Sequence, residues 1–365
     1  MPPPPPEAAA PEKFPPKLAV GKEGDGFFQP GFLIQMWFVL NHQDLNTAHD
    51  WQSYVRARRA ELRAKGEIVP KLIGYNVMID AAKLLQFSST NVNVQNQTPP
   101  PADPSQQERV AVPQPPADTS ILQDAYVLAM SEYVDVWFGQ FKNLVSWEGY
   151  NPSAKVIMPE RSLVSRTYGD RRDLGIKAEK KFEHLMYALA VFGGNGPNQP
   201  DTTNNQKNVV LRAEVYPIKG TLLGGLVYYA VGDRDAPNTQ DRAEADLRID
   251  LANVLFQSEY IQAWDMNATG TDRVEGQGAY AALGYTFLDH VQPVVRVGFL
   301  NPNMHAANDG TGVYELGVNY FVKTGESKDE MKLQLSYSLF NNAQNYQNTK
   351  GNNQNQVILN AQVAF

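Results

Sequence analysis

The segment Val357–Phe365 (VILNAQVAF) alternates from end to end. Val357, Leu359, Ala361, Val363 and Phe365 share one side, with Ile358, Asn360, Gln362 and Ala364 on the other. A period of two gives a strand with two different faces. The pattern recurs upstream. Met331, Leu333, Leu335, Tyr337 and Leu339 oppose Lys332, Gln334, Ser336 and Ser338. Ala243, Ala245, Leu247, Ile249 and Leu251 oppose Glu244, Asp246, Arg248 and Asp250, and Val291–Phe299 sets Arg296 and Gln292 against a row of valines. Unpaired charge is too costly for a dry core, so the charged face must meet water. If the apolar face meets hydrocarbon, these are strands of a membrane barrel. An aromatic residue closing the final strand suits an interfacial girdle, the alternative being an edge strand of a soluble sandwich.

Strand-length segments separated by turn chemistry follow from Phe27 onward. They run about 27–40, 51–65, 67–83, 121–130, 133–141, 171–181, 184–192, 208–216, 221–231, 243–251, 253–264, 278–287, 291–300, 313–323, 331–339 and 356–365, sixteen in all. The connectors alternate in length. Short ones surround Gly66, Ser131–Glu132, Phe182–Glu183, Pro217–Gly220, Ala252, Asp289–His290 and Gly325–Asp329. Long ones occupy 41–50, 84–120, 142–170, 193–207, 232–242, 265–277, 301–312 and 340–355. Short turns on one rim and long loops on the other describe an up-and-down transmembrane barrel, with the short side periplasmic. Sixteen strands leave an aqueous lumen unless loops fill it. Trp51, Trp137, Trp264, Tyr216, Tyr285, Phe287, Tyr320, Phe321 and Phe365 fall towards strand ends, where amphipathic rings prefer to sit.

Composition changes this picture little. Mean hydropathy is −0.41 with 42% hydrophobic residues, and there is no apolar run of 18 residues for a transmembrane helix. A barrel needs neither, because only alternate strand residues touch lipid. The net charge of −7 argues against nucleic acid as a partner. Cysteine is absent, which suits an oxidising compartment. No signal peptide precedes the Pro-rich opening, so an exported protein would be represented here by its mature form. Residues 1–26 have no apolar periodicity and carry five consecutive prolines, the composition of a disordered or extended periplasmic arm, with an envelope partner as one possibility. Residues 27–365 are then the outer-membrane barrel.

Several stretches add a resemblance. They are YVRARRAELRAKGEI (54–68), LQDAYVLAMSEYVDVWFGQFKN (122–143), MPERSLVSRTYGDRRDLGIKAE (158–179) and VYELGVNYFVKTGESKDEMKLQLSYSLF (313–340). In this order they resemble the phosphate-selective porin O and P family of Gram-negative outer membranes, over most of residues 51–365. The resemblance implies a sixteen-stranded barrel, commonly a homotrimer, with a third loop folded inward to narrow the pore. It implies passive diffusion of small hydrophilic solutes or ions with no enzymatic step and no cofactor. Members selective for phosphate line the lumen with Arg and Lys. Here the expected lumen mixes Arg56, Arg58, Arg59, Arg63, Arg212, Arg248, Arg296 and Lys332 with Asp80, Glu214, Glu244, Asp246, Asp250 and Glu315.

Within the second strand, Val55 and Ala57 suit lipid, turning Arg56 and Arg58 inward. Ala60, Leu62 and Ala64 suit lipid further on, turning Arg59 and Arg63 inward. The parity change between Arg58 and Arg59 predicts a β-bulge. The cluster reads as a positive ladder for anions, or equally as a wall of Arg–carboxylate pairs. In the third loop Arg161, Arg166, Arg171 and Arg172 join Glu160 and Asp170 as candidate constriction residues; an outward solvated loop is the alternative.

Other readings are poorer. His42, His49, His184, His290 and His305 form no catalytic or metal pattern. Asp233, Asp235, Asp241 and Glu244 approach a calcium-loop spacing, but Asn238 stands where that loop needs glycine. A plugged or structural barrel tied to the envelope by the arm is the rival to an anion-preferring porin.

Overall fold

The computed structural model describes residues 15, 17–21, 25–45, 48–85, 88–93, 109–114, 121–193, 196–199, 206–232, 239–266, 272–306, 310–323, 328–341 and 354–365. A short strand β1 (Leu18–Val20) pairs antiparallel with the start of β2 (Gly26–Leu45). Then follow β3 (Ala48–Val69), β4 (Ile73–Asp80), β5 (Ser88–Asn93), β6 (Arg109–Gln114), β7 (Leu122–Ala129), β8 (Asp135–Lys142), β9 (Arg172–Lys181) and β10 (Leu185–Phe192). The chain continues through β11 (Lys207–Val215), β12 (Thr221–Val231), β13 (Gln240–Leu251), β14 (Val254–Met266) and β15 (Arg273–Tyr285). It ends with β16 (Val291–Asn301), β17 (Thr311–Phe321), β18 (Met331–Asn341) and β19 (Gln354–Ala364).

Apart from β1 and the separate β5–β6 hairpin, sixteen strands make one closed antiparallel barrel. Each pairs with the next, and β19 returns to β2 with Ala364 opposite Leu33 and Gln356 opposite Asn41. Phe365 finishes the seam: Phe32 N donates to its carbonyl at 2.9 Å and its own N–H donates back at 3.0 Å. The two rings meet edge to face.

The alternation read from sequence maps onto burial. In β18 Leu333, Leu335 and Tyr337 are exposed, while Lys332, Gln334, Ser336 and Ser338 are buried. In β16 Val295, Val297 and Phe299 are exposed and Gln292 and Arg296 buried. The exposed apolar rows form the lipid belt. A ladder of amides closes the inner face near the seam. Asn360 donates to Gln334 (2.8 Å), Gln334 to Asn319 (2.9 Å) and Asn319 to Gln292 (3.0 Å). Gln35 donates to Gln362 at 2.7 Å and accepts from Arg59 at 2.7 Å.

The expected bulge is present. Gln35 pairs with Arg59 and Met36 with Ala57, leaving Arg58 as the extra residue. Two local expectations change. The connector expected over 41–50 is largely strand, since β2 and β3 remain paired out to Leu45 and Ala48. Gly66, expected in a turn, lies within β3 between Phe28 and Tyr75, where a side chain would strike the Phe27 carbonyl. The turn falls instead at 70–72, with Lys71 at φ 58. Within the expected arm, Leu18–Val20 is strand, and Gln29 Nε2 donates to Pro15 O at 2.9 Å; residues 1–14 lie outside the described residues.

Gly139 in β8 sits at φ 135, and a Cβ there would collide with the Ala125 carbonyl. A left-handed φ alone costs a non-glycine residue ~1–3 kcal/mol. Gly139→Val is therefore expected to leave little heat-modifiable barrel on a gel shift assay. Wild-type yields would show that β8 and β7 tolerate separation.

Candidate functional site

The segment between β8 and β9 makes the site. It carries two short helices, α1 (Trp147–Tyr150) and α2 (Leu163–Tyr168). Each starts at a serine cap: Ser146 Oγ accepts from Gly149 N at 2.9 Å, and Ser162 Oγ from Ser165 N at 3.2 Å. The amides of a first helical turn have no partner within the helix. Those of α1 find theirs on the barrel wall. Ser146 N and Trp147 N donate to Glu244 of β13 at 2.7 and 3.0 Å, and Glu148 N donates to Glu259 of β14 at 2.5 Å. The Ser146 hydroxyl adds a bond to Glu259 at 2.7 Å.

The rest of the segment is tied to the same polar face around much of the wall. Lys332 Nζ of β18 donates to the carbonyls of Ala154 (2.7 Å) and Val156 (3.0 Å). Asn319 of β17 donates to Ile157 O at 2.9 Å, and Gln362 of β19 to Ala154 O at 3.1 Å. Arg58 of β3 holds Glu160 at 3.0 Å, and Arg296 of β16 reaches Glu160 O at 2.9 Å. Inside the segment Arg161, 1% exposed, gathers Glu148 O, Asn151 O and Asp170, each at 2.9 Å.

Beneath the helices the packing is apolar. Leu144, Val145, Val164 and Tyr168 join Met186, Ala188, Ala190 and Phe192 of β10 in one cluster. Val210 of β11, Leu226 and Tyr228 of β12, and Ile261 and Ala263 of β14 belong to it, with Phe141 of β8 and Leu300 of β16. This sector of the inner face is greasy.

Burial alone would raise the Glu160 carboxyl. Arg58, Arg59 and Arg166 outweigh that and hold it down to about 2. Burial likewise opposes ionisation of Asp170, yet Lys142 and Arg161 keep it below the usual carboxylate range. A depressed pKa contributes stability above the group's ordinary value, near 4.5 for Glu160, and loses it as pH falls through about 2. The stability gap between wild type and Glu160→Gln is thus expected to hold constant from pH 7 to about 5. It should shrink below that and vanish near pH 2, followed by thermal unfolding of the folded barrel. A gap that stays flat from pH 5 down to pH 2 would mean that Glu160 titrates as an ordinary carboxyl.

The expected site residues divide by what they touch. Arg212, with no solvent exposure, lies among Glu214, Glu244 and Asp246 and donates to Leu144 O at 3.3 Å. Glu214 also accepts from the hydroxyls of Tyr150 and Tyr216. Arg296 joins Glu315 and Glu148. Arg59, Arg161, Arg212 and Arg296 are thus buried fastenings. Asp80 accepts from Ala60 N (2.9 Å) and Ala82 N (3.1 Å), an arrangement that shapes backbone. Arg56 lies over the Trp37 ring at 5.6 Å, and Arg248 over Trp147 at 4.8 Å while pairing with Asp250 at 2.9 Å. Arg166 is exposed on α2, and Arg171 donates to Gln240 at 3.2 Å.

Arg63 and Arg172 meet at a cavity of about 280 Å³, bounded by β3, β4, β7, β8, β9 and the β8–β9 segment. Lys177, Asp124, Glu179, Tyr126 and Phe141 in its lining were not foreseen as a site. Lys142, Lys177, Glu61, Asp124 and Glu179 contribute charge, and Tyr126, Trp137 and Phe141 contribute rings. Nearly every charge is matched: Arg172 with Asp124 (2.7 Å), Lys177 with Glu179 (2.8 Å), Lys142 with Asp170 (2.8 Å) and Glu61 with Arg59 (3.8 Å). Arg63 is the exception. Among the described residues its one polar contact is Met78 Sδ, at 3.1 Å. Three carboxylates elsewhere, Glu244, Asp246 and Glu259, bring oxygens within 4.8 Å of one another. Arg212 and the α1 amides already engage them.

Comparison with known proteins fits this geometry. The family model for phosphate-selective porin O and P matches residues 34–253. No curated protein sequence gives a match. Among solved structures, OmpF of Salmonella typhi is similar at a TM-score of 0.63 with 12% identity, over 93% of this chain and 98% of that one. The anion-selective porin of Comamonas acidovorans gives 0.57 with 10% identity, over 93% and 100%. The trimer form of OmpT of Vibrio cholerae gives 0.58 with 10% identity, over 93% and 99%. By the family match and the closed sixteen-stranded barrel, the chain belongs to the phosphate-selective porin O and P family and is a passive channel of the bacterial outer membrane rather than an enzyme.

Proposed function

We propose that the channel is weakly anion-preferring. Its third loop, 142–170, lies within the lumen and confines solutes to the passage beside β3, β4 and β7–β9. The hydrogen bonds from nine strands to that segment support its inward position, since they come from side chains opposite the lipid belt. The observation that carries the selectivity is Arg63, the cation of the passage that has no carboxylate partner among the described residues. The plugged-barrel rival draws on the same loop contacts; the 280 Å³ cavity favours an open route. A homotrimer is the assembly we infer, on the likeness to the OmpT trimer form; cross-linking in detergent checks it.

At ~6 Å through water, one fixed charge shifts a monovalent ion by ~0.7 kcal/mol. Attraction of chloride and repulsion of potassium add, giving about tenfold in their permeability ratio before screening and nearer threefold in salt. Reversal potentials across planar bilayers in a KCl gradient test the reading. Arg63→Gln is expected to move the ratio towards potassium by that factor. Arg58→Ala should move it less, because Glu160 already offsets that charge. An unchanged potential in Arg63→Gln would sink the assignment, and a folded barrel without conductance would favour the plug.

A further inference from the structure

The passage has a second character that ion sieving does not require. Tyr126, Trp137 and Phe141 pack against one another along its wall. Tyr126 and Trp137 have centroids 4.4 Å apart, and Trp137 and Phe141 6.1 Å apart. Met78 and Leu144 extend the apolar surface. Lys177 Nζ lies 3.5 Å from the centre of the Trp137 ring while remaining paired with Glu179. These rings line an accessible cavity in the wall of the barrel.

A small hydrophilic anion gains nothing from such a wall. Phosphate or chloride would be drawn by Arg63 and then lose hydration against Met78, Phe141 and the faces of the other rings. An anion with a flat apolar body gains from both halves. Its carboxylate meets the unmatched guanidinium, whose fork suits two carboxylate oxygens. Its ring lies against aromatic surface, where offset or edge contacts are favourable. Arg63 Nε is buried without an acceptor among the described residues. The volume of about 280 Å³ sits at the lower edge of small-molecule sites, room for one ring and its carboxylate rather than a polycyclic body.

We propose that the passage holds a binding site for aromatic monocarboxylates, with Arg63 receiving the carboxylate and Trp137 and Phe141 the ring. This deepens the anion-preferring reading above and rests on it. Binding is weak and reversible, as transport demands, because a solute held tightly does not leave.

The test uses the full-length protein in planar bilayers under KCl, with sodium benzoate, acetate and phosphate as probes. Benzoate is expected to reduce the single-channel chloride current with a half-blocking concentration about tenfold below that of acetate, the factor one aromatic contact supplies. Trp137→Ala is expected to erase that difference while acetate block stays as it was. Should Trp137→Ala not fold, Phe141→Leu tests the same wall with a smaller change. Arg63→Gln is expected to weaken block by both carboxylates. Equal half-block by benzoate and acetate, or stronger block by phosphate than by benzoate, overturns the proposal. Reversal potentials recorded on the same membranes separate the two readings. An anion-preferring channel indifferent to the ring loses only this proposal, whereas a cation-preferring channel overturns both.

Discussion

Arg212→Ala is expected to cost the barrel about 3–5 kcal/mol, the usual result of removing one partner from a buried ionic group. The side chain has no exposure to solvent, and it bridges Glu214 (2.8 Å), Glu244 (2.9 Å) and Asp246. Cutting it to alanine leaves three carboxylates within one sector without their cation. The loop feels the loss directly, because Glu244 also receives the Ser146 and Trp147 amides and Arg212 itself reaches Leu144 O. Arg212→Lys keeps the charge but has one point of donation in place of a fork, so it should fall between wild type and alanine. Denaturant unfolding in lipid vesicles, followed by tryptophan fluorescence, reads the difference. Single-channel records should become noisier as α1 loses its seat. A shift below about 1 kcal/mol would mean that water or protons replace the arginine without penalty, and the fastening role would be lost.

Most of the barrel could be read from the chain because its strands report their own two faces. The sixteen segments fall on the sixteen barrel strands, and even the bulge at Arg58 follows from the parity of alanines and valines. Pairs two residues apart on one strand were equally legible. Arg212 with Glu214, Lys177 with Glu179 and Arg248 with Asp250 share a face by period alone. What failed depends on neighbours remote in sequence. Glu244 and Glu259 hold the loop from about a hundred residues away, and nothing in their own strands distinguishes a loop anchor from a pore charge. Gly66 looked like a turn because glycine usually is one; here it answers the close approach of Phe27. The apolar sector did leave a trace. Leu185–Phe192 reads LMYALAVF without a polar residue, and an unbroken apolar strand is covered on both faces. One face meets lipid through Leu185, Leu189 and Val191, and the other lies under the loop through Met186 and Phe192.

That division of labour carries the second large effect. Replacing residues 145–169 by a short Gly-Ser turn is expected to raise single-channel conductance several-fold, since a sixteen-stranded barrel without an occupying loop retains a wide aqueous bore. The barrel should survive the excision. Its strands are joined by backbone ladders that close at β19 and β2, and none of those ladders passes through the loop. The penalty falls on the exposed inner surface instead. Phe192, Met186, Val210 and Ile261, all buried now, would face water, at ~25 cal/mol for each Å² uncovered. The excised protein should therefore unfold at lower temperature while conducting more, and the preference set by Arg63 should fade because ions would pass it at a distance greater than the ~8–10 Å over which salt screens it. Conductance and stability moving in opposite directions is the signature of a loop that narrows the bore and covers an apolar wall. An excised barrel with wild-type conductance would mean that the loop does not lie across the route of the ions.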